Sequence, residues 1–274
     1  MRIEISSKNN ETVKNVRKLL NSAKFRNSEK KFVIEGTRLC EEAVKSNVEV
    51  TQIFYTQKCL QKFSDLISKI TQKNNAHEFL VSEAVMQSMS DTEGPQGIIC
   101  VCNFVDKFVN MSKIKACSNI ILLENLQNPS NLGSILRSLN AFNIDFVGIS
   151  FDSCDIYNPK ALRGSMGAIF KLNIMKINDF SEFISLLKAE NVTVCATVPD
   201  ENAENITALN DLGKKAVILG NEGNGISDET LDLCDKKMTI PMNPLCESLS
   251  VAVAAGIVAW EMSGKGKQSG QAGV

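Results

Sequence analysis

The chain of 274 residues contains one histidine, one tryptophan and two tyrosines, and it has no long apolar run. A membrane-spanning helix needs roughly 18 or more consecutive apolar residues. Residues 1–31 are polar and basic, and they lack the apolar core of a signal peptide. We therefore expect a cytoplasmic protein without a membrane partner. The single histidine, His77, lies far in sequence from every candidate site, so we expect no catalytic role for it.

The nine cysteines do not show the paired spacing of a metal site. Cys100 and Cys102 are separated by one residue, whereas Cys117, Cys154 and Cys195 have no nearby cysteine or histidine. Free cysteines are among the most buried residue types. The sequence therefore predicts reduced, mostly buried thiols and no metal.

Charge is unevenly distributed, although the formal net charge is only −1. Residues 1–31 carry nine lysines and arginines against three glutamates. Such a basic segment suits binding to a phosphate backbone. A solvated helix face would look the same, so charge alone leaves both interpretations open.

The first part of the chain reads as a small α/β domain. Apolar spacing predicts helices over 11–22, from Thr37 and over 60–70, and strands over 31–36, 50–55 and 97–104. These elements define a domain at 1–106, which a polar linker at 107–117 follows.

The second part alternates apolar strands with helices from residue 118 to 264. Strands are predicted near 119–123, 146–149, 192–197, 216–219 and 238–240, and helices over 131–142, 179–189, 228–233 and 248–261. This alternation is typical of a parallel sheet with helices on both faces, which binds ligands beyond the carboxyl ends of its strands. Residues 265–274 are expected to be a disordered tail.

Three polar loops follow strands of this second domain. In the first, Asn131 is positioned to contact a ligand and Arg137 follows nearly two turns later on a helix. A capped helix with an ordinary surface arginine would explain the same residues.

The second loop carries Gly220, Gly223 and Gly225 around Glu222, directly after a buried strand. Such a turn exposes backbone amides to a ligand. A dinucleotide fingerprint is disfavoured, because the spacing is G-x-x-G-x-G and no acidic residue closes a strand about twenty residues later.

The third loop runs from Ile240-Pro-Met to Glu247-Ser-Leu and contains two prolines. Taken alone, Ser248 is explained as the N-cap of the helix predicted over 248–261.

In order and approximate separation, the loops resemble motifs of the SpoU/TrmH family of SPOUT methyltransferases. The similar residues are Asn128, Pro129, Asn131, Gly133 and Arg137; Lys160–Ala168, which includes Arg163; Gly220–Ile226; Ile240–Met242; and Glu247–Leu249. The resemblance covers about residues 119–262, and Lys31–Thr37 with Gly94–Val101 resembles the family's substrate-binding domain more weakly. One departure is Ser250, where the family usually has asparagine.

The resemblance implies a deep trefoil knot in the second domain and a homodimer formed through it. It implies that S-adenosylmethionine binds in the knot and that RNA, ribosomal rather than transfer RNA, is the substrate. Carried over residue by residue, Leu219, Gly220, Ile240 and Leu249 would hold the donor, and Thr197, at the end of its strand, would be a neighbour of the donor. Asn131, Arg137, Glu222 and Ser248 would form the catalytic group, and Arg137 with Arg163 would contact the RNA.

The implied reaction is attack of a ribose 2′-hydroxyl on the sulfonium methyl. The family's arginine, here Arg137, has been assigned to activation of that hydroxyl, but a guanidinium stays protonated and is a poor base. We therefore expect Arg137 to hold an adjacent phosphate through two hydrogen bonds, while a phosphate oxygen or water takes the proton. A catalytically silent RNA-binding homologue is the alternative, and Ser250 is its sole hint in the sequence.

Overall fold

The computed structural model describes residues 2–46, 48–105 and 111–264. The chain forms two compact units, the first from Met1–Asp106 with Asp155–Lys171 and the second from Lys107–Cys154 with Leu172–Val274. The predicted tail at 265–274 and the first four residues of the predicted linker lie outside the described residues. Residues Met111–Lys115 of that linker form a short helix.

The first unit is built on a mixed sheet of five strands. Its strands are β1 (Arg2–Ile5), β2 (Lys31–Glu35), β3 (Val50–Tyr55), β4 (His77–Val81) and β5 (Ile98–Asn103), and its helices up to residue 105 are α1 (Glu11–Asn21), α2 (Ala23–Glu29), α3 (Thr37–Lys45), α4 (Gln57–Asn74) and α5 (Glu83–Ser88). The strand order is β1-β4-β3-β5-β2, with β1, β3 and β4 parallel and β5 antiparallel to both of its neighbours.

Residues Asp155–Lys171 belong to the first unit, although residues 107–154, which precede them in sequence, belong to the second. Arg26 is only 3% exposed, and its Nε donates to Asp155 Oδ2 at 2.7 Å. The ring of Tyr157 stacks on Phe32 at 4.7 Å between centroids. A buried charge needs a partner, so Arg26 gives this segment a defined position in the first unit.

The second unit is built on a parallel sheet of seven strands, as the alternating pattern predicted. Its strands are β6 (Asn119–Leu123), β7 (Phe146–Ser150), β8 (Ile174–Ile177), β9 (Thr193–Thr197), β10 (Glu204–Asn205), β11 (Lys215–Leu219) and β12 (Lys236–Thr239). The helices, numbered along the chain and including α8 of the first unit, are α6 (Met111–Lys115), α7 (Pro129–Ala141), α8 (Pro159–Ser165), α9 (Phe180–Ala189), α10 (Asp228–Leu233) and α11 (Val251–Met262). The strand order is β10-β12-β9-β11-β6-β7-β8.

The register of this sheet brings the carboxyl ends of its central strands together. Leu219 of β11 pairs with Leu123 of β6, and Met238 of β12 pairs with Thr197 of β9. Every residue of β11 is buried, which matches a central strand covered on both faces. The loops after β6, β11 and β12 therefore leave the same edge of the sheet.

Hydrophobic side chains on the sheet and its helices form the core of this unit. Ile120, Leu122, Phe146, Ile218 and Ile184 are among its buried members. Within the described residues, no helix is both long and apolar enough to cross a membrane.

Candidate active site

The loop after β11 is a tight turn that requires glycine at its first position. Asn221 N donates to Gly225 O at 2.8 Å, and Gly225 N donates to Asn221 O at 3.0 Å. A Cβ at Gly220 would lie 2.2 Å from the carbonyl carbon of Gly225. Gly225 adopts a φ of +71°, a conformation that L residues rarely adopt. The glycines of this loop thus allow two backbone segments to approach each other closely.

Glu222 connects this second loop to the first. Its carboxylate accepts from Asn128 N at 3.1 Å, Gln127 N at 3.2 Å and Asn131 Nδ2 at 3.2 Å. Partial burial raises the pKa of Glu222, but hydrogen bonds from backbone amides and Asn131 outweigh it, so the pKa lies below its ordinary value. The ionised carboxylate therefore holds Asn131 at a fixed place beside the second loop.

Two further side chains join the same loops. Asn221 Nδ2 donates to Asn125 O at 2.7 Å, while its Oδ1 accepts from Gly223 N at 2.8 Å. Glu124, at the end of β6, accepts from the hydroxyls of Ser227 at 2.8 Å and Thr230 at 2.7 Å. The second loop is thereby bonded to the first at both of its ends.

Arg137 lies on α7, the helix that begins within the first loop. Asn128 caps this helix by accepting from Ser130 N at 2.9 Å, and Pro129 occupies its first turn. Arg137 is exposed, and within the described residues its side chain makes no hydrogen bond or ion pair. It does not line the cavity described below. The guanidinium is therefore available for a ligand that approaches from solvent.

The third loop differs from its sequence-based expectation at one position. Helix α11 begins at Val251, and Ser250 is its N-cap, with Oγ accepting from Val253 N at 3.4 Å. The prediction that Ser248 starts this helix was wrong, because the irregular segment after the turn at Pro244 and Leu245 continues through Leu249. Ser248 is exposed and free of a capping role, and Ser250 performs the capping that asparagine would also perform.

The three loops enclose a cavity of about 440 Å³, within the roughly 300–1,000 Å³ usual for small-molecule sites. Eight predicted site residues line it together, seven from the motifs and one from the end of β9: Asn131, Leu219, Gly220, Glu222, Ile240, Ser248, Leu249 and Thr197. Sequence reasoning missed Val198, Pro199, Val251 and Ala254, which also line it, and it included Met242 in a motif without giving it a role. The position of Val198 and Pro199 directly after β9 was the signal that could have found them, since ligands gather beyond strand ends.

Arg163, predicted to contact RNA, lies in the first unit. Its Nη1 forms an ion pair with Asp91 Oδ2 at 2.7 Å, and both side chains are about one third exposed, at 34% and 35%. An exposed pair of this kind is weak. Replacing Asp91 by a phosphate as the partner of Arg163 therefore costs little free energy.

Within residues 2–46, 48–105 and 111–264 no group of three or more metal-ligating side chains occurs. All nine cysteines are free thiols, and six of them are buried. Burial raises the pKa of the Cys195 thiol to about 12. Thiols that stay protonated are poor metal ligands and poor nucleophiles.

Comparison with known families assigns both parts of the chain. The model of the SpoU rRNA Methylase family matches residues 118–260, and that of the MRM3-like substrate binding domain matches residues 10–100. The first match includes every residue of the cavity.

Individual relatives agree over almost the whole chain. The 23S rRNA (guanosine(2553)-2′-O)-methyltransferase RlmP of Bacillus subtilis is 31% identical, with 95% of this chain and 99% of that protein covered. A crystal structure of an RNA 2′-O ribose methyltransferase is 28% identical with a TM-score of 0.78, over 96% of this chain and 98% of that one. The AdoMet-bound rRNA methyltransferase of Sinorhizobium meliloti, 22% identical with a TM-score of 0.82 over 95% and 97%, shares the fold. With its motifs gathered at one cavity, the chain belongs to the SpoU rRNA methylase family of methyltransferases.

Proposed function

We propose that this protein transfers a methyl group from S-adenosylmethionine to a ribose 2′-hydroxyl of ribosomal RNA, in the cytoplasm. The observation that carries the proposal is the convergence of eight predicted site residues, among them Asn131 at the start of the helix that carries Arg137, on one cavity. The 23S rRNA 2′-O-methyltransferase activity for which RlmP is named supports the same chemistry and the same class of RNA.

The cavity fits the methyl donor in size and in chemistry. Leu219, Gly220 and Ile240 line it at or directly after the ends of β11 and β12, and Leu249 lines it shortly before α11. Thr197 uses its hydroxyl to donate to Ile218 O at 2.9 Å, so it contributes shape rather than a free hydroxyl. When bound, the donor supplies a methyl group on a cationic sulfur. The nearby Glu222 carboxylate suits that positive charge, because opposite charges attract across a partly dry cavity.

The chain's own contribution to the reaction is positioning. Arg137 holds the phosphate next to the target ribose through two hydrogen bonds, which is the geometry that a guanidinium provides. A phosphate oxygen or water then takes the proton from the 2′-hydroxyl, because the guanidinium has no free lone pair to accept it. Asn131, fixed by Glu222, and Ser248 orient the ribose at the mouth of the cavity.

Apolar exposure on α11 supports a homodimer formed through the second unit. Val253 is 51% exposed and Trp260 is 40% exposed on this helix, and Trp260 contacts Phe142 edge-on at 5.6 Å. Exposed apolar clusters of this kind mark protein interfaces. Sedimentation of the wild type as a dimer and of Trp260→Glu as a monomer would support this arrangement, whereas a monomeric wild type would refute it.

The test of the reaction uses the purified chain, labelled S-adenosylmethionine and RNA from cells that lack the gene. We expect label in ribosomal RNA as a 2′-O-methyl group, which survives alkaline hydrolysis. Arg137→Ala should lower turnover about 10²- to 10³-fold, as loss of one charge-stabilising donor does elsewhere. Donor affinity measured by calorimetry should not change, because Arg137 does not line the cavity.

Arg137→Lys separates the positive charge of the arginine from its ability to form two parallel hydrogen bonds. Lysine keeps the charge but loses the two-pronged geometry, so turnover should stay low. Near-normal turnover of Arg137→Lys would refute the phosphate-holding role. Donor binding without transfer to any RNA would refute the reaction itself and favour a catalytically silent RNA-binding protein.

A further inference from the structure

A second cavity lies at the same edge of the parallel sheet, on the other side of the loop after β11. Its volume is about 620 Å³, and it is formed by the ends of β6, β7 and β8. Asn221 and Gly225 line both cavities, so this loop is the wall between them. Anything bound in the second cavity is therefore a close neighbour of the donor cavity.

Two aromatic side chains line this second cavity. Phe151 is 64% exposed, which is a large apolar exposure directly after a buried strand. The ammonium of Lys176 lies 4.8 Å from the centroid of the Phe151 ring. Phe180 also lines the cavity and is half-buried. The Phe151 ring thus has a cation nearby and much of its surface open to a planar ligand.

Two of the four asparagines in this lining have side-chain amides without a partner among the described residues. Within the described residues, the side-chain amides of Asn178 and Asn224 make no hydrogen bond. Asp152 accepts from Ser150 Oγ with one carboxylate oxygen, which leaves the other oxygen available. Amides and carboxylates recognise the hydrogen-bonding edges of bases, because they match base donors and acceptors in pairs.

We propose that this second cavity binds the base of an unpaired RNA nucleotide next to the methylated one. The base stacks on Phe151, Asn178 and Asn224 bond to its edge, and Lys176 pairs with its phosphate. Sequence-specific RNA recognition works mainly on unstacked bases of this kind. The inference rests on the proposed RNA methyl transfer, and it adds a site that selects the sequence context of the target.

The acidic groups at this cavity favour a base over a bare phosphate. Glu124 is fully engaged with Ser227 and Thr230, so it does not compete for the ligand. Asp152 would repel a phosphate but accepts base N–H groups. Lys176 does not line the cavity, but its ammonium lies beside the Phe151 ring and so sets the side on which the phosphate lies.

The test is ultraviolet cross-linking of the full chain to ribosomal RNA from cells that lack the gene, with peptides read by mass spectrometry. We expect a nucleotide attached to the peptide that carries Phe151. Phe151→Ala should abolish this cross-link and raise the KM for RNA roughly 5- to 150-fold, as loss of one stacked base does. Phe151→Tyr should restore both, because tyrosine keeps a stacking ring.

Two controls make the result specific. Leu186→Ala removes another exposed apolar side chain of the second unit, 41% exposed and outside the cavity, so it should leave the cross-link and KM unchanged. Donor affinity and thermal stability of Phe151→Ala should equal those of the wild type, because the ring is mostly in solvent.

Cross-linking elsewhere on the chain but never at Phe151, with an unchanged KM for Phe151→Ala, would overturn this inference and leave the methyltransferase proposal standing. A peptide partner seated at the cavity in place of RNA would give that same result. Conversely, a cross-link at Phe151 without any methyl transfer would uphold the RNA site and refute the proposed reaction.

Discussion

The second and third loops, which both line the cavity of about 440 Å³, are held in opposite ways. The second loop, Gly220–Ser227, is bonded to residues more than ninety positions away through Asn221, Glu222 and Ser227. The third loop, Ile240–Ser250, has side-chain hydrogen bonds only within Asn243–Val253 among the described residues. Leu245 at its tip is 93% exposed.

The second loop, Gly220–Ser227, is therefore the fixed wall of the cavity, and the third loop, Ile240–Ser250, is its adjustable wall. Long-range hydrogen bonds hold the second loop in its binding geometry before a ligand arrives, which lowers the ordering cost of binding. Segments with few buried contacts and exposed backbone are those that open and close most easily. We therefore expect the third loop to order when the donor binds, and the second loop to change little.

The largest effect on stability and on donor affinity is expected for substitution of Gly220, where the fixed wall is most crowded. In Gly220→Ala the new Cβ would meet backbone atoms of Gly225 and Ile226 at 2.2–2.4 Å, which cannot move without breaking the turn. We expect a loss of about 3 kcal/mol in stability and roughly a hundredfold loss in donor affinity, measured by denaturant unfolding and calorimetry.

Gly223→Ala is the matched control in the same loop. Its Cβ would meet only Asn221 Oδ1 at 3.5 Å, an ordinary contact. Both quantities should therefore stay near wild type. Equal effects of the two substitutions would contradict the crowding argument.

A smaller effect on stability is expected when one of the hydrogen bonds that anchor the second loop is lost. Glu222→Gln places an amide N–H against the N–H groups of Gln127 or Asn131, so one bond turns repulsive. We expect a stability loss of about 1.5 kcal/mol at neutral pH, the lower end for charged hydrogen bonds at an exposed group, measured by urea unfolding.

The pH dependence of this loss follows from the lowered pKa of Glu222. Its contribution is fully present above the ordinary value of 4.5 and disappears as the pH falls through the lower folded value. The difference between wild type and Glu222→Gln should therefore shrink below pH 4.5. A constant difference down to strongly acidic pH would show that the charge of Glu222 is irrelevant.

Substitution of the two serines before α11, Ser248 and Ser250, should affect stability differently. Ser250→Ala removes the N-cap and should cost about 1 kcal/mol of stability, whereas Ser250→Asn should be close to neutral because asparagine caps equally well. Ser248→Ala should leave thermal stability unchanged but lower methyl transfer. Loss of stability in Ser248→Ala instead would restore Ser248 as the cap.

The smallest effect on stability is expected at the tip of the adjustable wall. Leu245→Ala removes a side chain that is almost entirely in solvent, so unfolding should not change measurably. Hydrogen exchange with and without S-adenosylmethionine gives the sharper test. Amides of 243–249 should slow on donor binding by a larger factor than those of 220–226, and equal slowing would contradict the contrast.

Much of the cavity was predictable because its residues lie in short motifs that follow strands. Asn131, Gly220, Glu222 and Ile240 meet at one place since parallel strands end at one edge of the sheet. Alternating apolar runs also predicted five of the seven strands in the second unit, but not β8 or β10. The strand order did not, because it depends on pairings between distant strands such as β11 with β6 and β9.

Other features needed the three-dimensional structure. The cap at Ser250 rather than Ser248 depends on backbone angles after two prolines, which composition does not determine. The placement of Asp155–Lys171 in the first unit depends on the distant partner Arg26. The predicted boundary between domains at 106–118 and the trefoil knot stay predictions.

Mapping ribose methylation across the ribosomal RNA of cells with and without the gene tests the central claim most directly. We predict one 2′-O-methyl site that disappears on deletion, returns with the wild-type gene and does not return with Arg137→Ala. An unchanged methylation map after deletion would contradict the account, and so would full restoration of the lost site by Arg137→Ala.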